Sequence, residues 1–169
     1  AGICGPAAAQ VDWVTPLQTG WPERTSLDAI DVNNASDGSV IATSYASDGE
    51  SWRIRIASMS PTGIERWVRW AGVGNTTPVA KPLMHADGSV TVLYRQSNFP
   101  CLENFDTNGV RRMQVCVGVN DQYDNTRIAR SLDDEIFIGY GTTSRTARKM
   151  SKTGQVRWET FESVSTNST

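Results

Sequence analysis

The chain is poor in the residues that most often carry chemistry. It has one histidine, His85, three cysteines, and only three lysines (Lys81, Lys149 and Lys152) in 169 residues. A histidine-based dyad or triad within the chain must use His85. That residue ends an expected inner strand just before a hairpin turn, where a structural or solvated role is expected. Cys4, Cys101 and Cys116 lack the paired spacing of a histidine/cysteine metal site. No apolar run approaches the roughly 18 residues of a membrane span. The first residues lack the charged-then-apolar pattern of a signal peptide, and the start at Ala1 is read as that of a mature or cleaved product. A net charge of −2 gives no electrostatic case for nucleic acid. No segment sustains a 3.6-residue apolar period, so almost no helix is expected.

What the chain does have is repetition. Ser36-Asp37-Gly38-Ser39-Val40, Ala86-Asp87-Gly88-Ser89-Val90 and Leu132-Asp133-Asp134-Glu135-Ile136 are three copies of a turn between apolar runs. A second mark is a Thr/Asn-Gly turn with a large apolar residue four positions on: Thr62-Gly63 to Trp67, Asn108-Gly109 to Met113, Thr153-Gly154 to Trp158. These glycines fall 46 and 45 residues apart. A period in the forties built of short, alternating strands is the signature of propeller blades. The expected strands are 27–32, 40–45, 52–57 and 64–70 in the first repeat. They are 79–84, 90–94, 102–105 and 110–117 in the second, and 127–132, 136–140, 146–150 and 155–161 in the third.

The expected fold is therefore all-β: about three four-stranded antiparallel blades, residues 21–74, 75–119 and 120–163, with a polar tail over 164–169. Residues 1–20 precede them, and Val11-Asp12-Trp13-Val14 matches Glu65-Arg66-Trp67-Val68. That match reads as the orphan outer strand of an earlier blade. Propellers have four to eight blades, so the chain is expected to be part of a larger one, completed by a second polypeptide. The alternative is an edge extension at the N-terminus and assembly of copies of this chain.

The run Ala57 to Trp67, with Thr62-Gly63 at its centre, resembles the tryptophan-docking motif of quinoprotein-type (PQQ-like) propellers. Over about residues 9–162 the chain is also similar to short propeller repeats of bacterial exoproteins. The resemblance implies that Trp rings pack between neighbouring blades. It does not bring a quinone site with it. That site needs calcium-ligating groups, a catalytic Asp and often a vicinal Cys-Cys pair, and no such pair exists here.

No cofactor, metal or catalytic constellation is expected within this chain. Residues 31–42 lack the oxygen ligands of a calcium loop at their fifth and twelfth places, Ala35 and Ala42. Gly72-Val73-Gly74 is read as a loop, and Asp133-Asp134-Glu135 as a solvated turn tip. Asn34, Asn75 and Asn167 open glycosylation triplets. The loops between second and third strands and between repeats vary, and variable loops on a rigid frame are where binding concentrates. They carry the candidate binding residues Trp21, Phe99, Tyr123 and Arg145, with Trp52 nearby. Cys101 and Cys116 flank a hairpin turn, so a disulfide between them is expected, leaving Cys4 for an interchain bond or a free thiol. Together these features predict an exported, secreted or periplasmic protein that binds a protein or glycan. The alternative is a subunit or processed fragment of an enzyme whose catalytic groups lie elsewhere.

Overall fold

A computed structural model describes residues 28–34, 38–47, 52–74, 80–96, 99–117, 126–140 and 144–163. The expected orphan strand, Trp21, Tyr123 and Cys4 lie outside them. The described residues form twelve strands and no helix. They build three four-stranded antiparallel sheets, each a simple meander. The first holds β1 (Asp28–Asn34), β2 (Val40–Ser47), β3 (Trp52–Met59) and β4 (Glu65–Gly74). The second holds β5 (Ala80–Met84), β6 (Val90–Gln96), β7 (Phe99–Phe105) and β8 (Arg111–Cys116). The third holds β9 (Arg127–Arg130), β10 (Ile136–Tyr140), β11 (Ser144–Met150) and β12 (Val156–Ser163).

Three expected loops are shorter than the sequence suggested. Gly72 to Gly74 end β4, Phe99 opens β7 and Arg145 lies in β11. In each case the backbone ladder continues past the polar residues that marked the loop, as in the pairing of Gln96 with Phe99.

The turns follow one scheme. The amide of Gly63 donates to Ser60 O, that of Gly88 to His85 O, Gly109 to Asp106 O and Gly154 to Ser151 O. The glycine then sits at positive φ, between 74° and 88° for these four, which closes the hairpin with a bulge residue that favours glycine. Asp134 takes the same place in the third repeat at φ 61°. Asp is among the few residues that tolerate that conformation.

Each fourth strand then carries a bulge at the same point. Met59 pairs with Glu65 and Ser58 with Trp67, leaving Arg66 extra. Phe105 pairs with Arg111 and Asn104 with Met113, leaving Arg112 extra. Met150 pairs with Val156 and Lys149 with Trp158, leaving Arg157 extra. An added residue reverses the facing of all that follows in the strand. The bulge thus turns Trp67 and Met113 toward the sheet that follows, and Trp158 toward the corresponding side of the third sheet. The extra arginines are held at the rim, Arg66 by Ser39 Oγ (2.9 Å), Arg112 by Asp106 and Arg157 by Glu135 (2.6 Å).

The core lies between sheets. One apolar layer joins Ile41, Ile54, Ile56 and Trp67 of the first sheet to Val90, Val92, Tyr94 and Phe105 of the second. A second joins Leu83, Leu93, Leu102 and Met113 to Ile136, Ile138, Tyr140 and Met150 of the third.

Candidate functional site

The two joints between sheets are built alike. Trp67 lies against the β7–β8 turn of the second sheet, and its indole N–H donates to Thr107 O at 3.0 Å. A Cβ on Gly109 would come within 2.7 Å of that indole, so only glycine admits the ring. Arg69 Nε donates to Gly109 O at 2.6 Å beside it. At the second joint Met113 takes the place of Trp67, and a Cβ on Gly154 would meet its Sδ at 3.0 Å.

Cross-strand rows show what these joints cover. Asn33, Ile41, Ser58 and Trp67 form one row across the first sheet. Leu83, Thr91, Asn104 and Met113 form its counterpart in the second. Ala129, Phe137, Lys149 and Trp158 form it in the third. Trp67 is 8% exposed and Met113 7%, whereas Trp158 is 44% exposed. Within the third row Trp158 packs on Phe137 with ring centroids 5.7 Å apart and Lys149 lies over the Phe137 ring, while Lys149 also pairs with Asp133 and Glu135.

The second joint also holds the single histidine. His85 is 2% exposed, so it is not a solvated residue. Its Nδ1 lies 3.3 Å from Asp134 Oδ1 and its Nε2 2.7 Å from Thr91 Oγ1. Burial pulls the ring below the usual histidine range and outweighs the Asp134 carboxylate, so the ring is neutral. Burial pushes Asp134 up, but the Ala86 amide, Lys152 and His85 overcome this and hold it ionised. An ionised carboxylate only accepts, so Nδ1 carries the proton and Nε2 accepts from the Thr91 hydroxyl. Asn104 Nδ2 donates to the same Thr91 oxygen at 3.0 Å, completing the chain. The order Thr–His–Asp is that of a nucleophilic triad, but Thr91 is fully buried, with no approach for a substrate. The acidic turn is therefore an interlock rather than a solvated tip. Lys152 binds Asp87 at 2.6 Å and Asp134 at 2.9 Å, and Lys149 and Arg157 hold Glu135.

A cleft runs along the outer strands between the first and second sheets. It is lined by Arg53 and Trp70 on one side and by Gln96, Glu103, Arg111 and Gln114 on the other. Glu103 accepts from Tyr94 Oη at 2.8 Å, and Gln114 Nε2 donates to that hydroxyl at 3.3 Å. Burial raises the Glu103 carboxyl above its ordinary value, against the Tyr94 hydrogen bond and the Arg111 guanidinium. Gly72, at φ 64°, leaves room for the Tyr94 ring, which a Cβ there would meet at 3.1 Å.

The candidate binding residues within the described part are spread over the three sheets. Trp52 opens β3, Phe99 opens β7 and is 44% exposed, and Arg145 is exposed near the start of β11. They occupy corresponding ends of the third strands, so the fold sets them on one end of the molecule, one per sheet. Cys101 and Cys116 stand directly opposite each other on β7 and β8 and are disulfide-bonded. Among the described residues no group of His, Cys, Asp and Glu is arranged to hold a metal ion. The cleft residues Gln96, Glu103, Arg111 and Gln114 escaped sequence reasoning because they are dispersed over three strands. Their signal is a departure from the repeat: Glu103 stands where the third sheet has Arg148.

No family model and no curated protein matches the chain. Among solved structures it is similar in fold to a protein of unknown function from Bacteroides caccae, with a TM-score of 0.54 at 14% identity. The match covers 88% of this chain and 48% of that one, so this chain spans about half the length of its structural neighbour.

Proposed function

We propose that the chain is part of a larger β-propeller of an exported protein, working by binding rather than catalysis. In this reading another polypeptide with further sheets completes the ring, and the loop end recognises a protein or glycan. One observation carries it. The row that is buried in the first two sheets by the sheet that follows is open in the third, where Trp158 stands at 44% exposure. An indole so placed matches Trp67, which is seated on the next sheet's glycine turn. The Cys101–Cys116 bond fits an oxidising compartment. Native mass spectrometry of material purified from its source, with and without reductant, tests this. The expected result is a complex with a second chain, released by reductant if Cys4 bridges the two and weakened by Trp158→Ser. A monomer under all conditions would overturn it.

A further inference from the structure

We infer that the cleft between the first and second sheets is a binding site for one neutral sugar residue. This rests on the reading that the loop end of the molecule does the recognising, and it names the ligand and the place.

The cleft encloses about 180 Å³. That is the share of roughly six water molecules at ~30 Å³ each. It is below the ~300 Å³ at which pockets for drug-sized ligands begin. A single pyranose ring is of this scale. The upper end of the cleft lies at Arg53 and Gln96, beside the β2–β3 and β6–β7 loops, and the floor is Glu103 at mid-sheet.

The repeat itself argues that the site is built to receive something. Cross-strand register places Val92, Glu103 and Gln114 in one row, and Ile138, Arg148 and Glu159 in the matching row of the third sheet. In the third-sheet row cation and carboxylate pair with each other. Arg148 Nη2 donates to both Glu159 oxygens at 2.9 Å, and Tyr140 Oη donates to Oε1 at 3.2 Å. In the second sheet the mid-sheet cation has become a carboxylate and the rim carboxylate an amide. Glu103, 2% exposed, keeps the tyrosine but gains no cation in its row. Its ion-pair partner among the described residues is Arg111, at 3.8 Å and on a half-exposed side chain. A carboxylate can accept more donors than these two, so it has capacity for a ligand's hydroxyls.

The lining chooses the ligand. Guanidinium and amide groups donate, and the Glu103 carboxyl accepts, within one cleft. A sugar hydroxyl both donates and accepts, so neighbouring hydroxyls satisfy both kinds at once. A phosphate or carboxylate would only accept, and would face Glu103 with like charge.

Saturation-transfer NMR on the full chain tests this with the methyl glycosides of glucose, galactose, mannose and N-acetylglucosamine as probes. At least one is expected to receive saturation. Gln114→Ala and Arg111→Ala, each first shown to be folded by circular dichroism, are each expected to weaken that binding about tenfold, the effect of roughly 1.4 kcal/mol. Glu103→Gln keeps the shape but removes the strong acceptor and is expected to weaken it as much. Trp158→Ser is expected to leave it unchanged. No transfer to any of the four, or binding indifferent to all three cleft variants, would overturn the inference. Either result with the two-chain complex intact would leave the assembly reading standing, and sugar binding by a lone monomer would do the reverse.

Discussion

At the residue scale the glycines of the second-hairpin turns carry the joints. Gly109 combines positive φ with an indole carbon 2.7 Å from where its Cβ would stand. Left-handed backbone costs a non-glycine residue about 1–2 kcal/mol, and overpacking a rigid ring adds about 1–3 kcal/mol. Gly109→Ala is therefore expected to destabilise the chain by about 2–5 kcal/mol. Gly154→Ala faces the flexible Met113 thioether and is expected to lose only about 1–2 kcal/mol, mainly from backbone strain. Urea denaturation of the two variants checks the order, and equal losses would contradict the joint geometry. These glycines were legible in the sequence because turn chemistry is local. What each would touch was not, since Trp67 reaches its turn across 40 residues of chain.

At the element scale the arginine bulge and the histidine interlock set how sheets meet. Strand positions followed from alternation, and the twelve strands lie within a few residues of the expected ones. The bulges did not, because Arg66, Arg112 and Arg157 look like ordinary outward-facing residues until register is known. Nor did the pairing of His85 with Asp134, which join two sheets. That pairing has a pH signature. Burial holds the folded ring below the usual 6.5, so the unfolded chain binds more protons as pH falls. The stability supplied by the neutral ring is present above that value and is lost as pH drops through the folded one. Glu103 acts in the opposite sense, since its raised carboxyl costs stability as pH rises above its ordinary 4.5. Comparing the chain with His85→Gln isolates the histidine. The rise in stability from roughly pH 5 to 6.5 is expected to shrink in the variant, and an unchanged slope would place the proton elsewhere.

At the scale of the whole molecule the three sheets are unequally covered. The second has buried residues on both faces, Val90, Val92 and Tyr94 toward the first sheet, Leu93, Leu102 and Thr91 toward the third. The third presents β12 almost wholly to solvent, with Val156, Trp158 and Phe161 all exposed. Local opening follows such differences. In the isolated chain, amides of β6 and β7 are expected to exchange slowest and those of β12 fastest when hydrogen exchange is followed by mass spectrometry. Uniform protection across the sheets would mean that the third face is covered in solution. The joint also has a polarity. The earlier sheet always gives the large side chain and the later one gives the glycine turn. Two copies related by a twofold axis through the third sheet would set Trp158 against Trp158, with no turn for either indole. In the proposed assembly only a head-to-tail union would seat Trp158 on a glycine turn. A head-to-tail union has two ends, a ring that closes or a filament that does not.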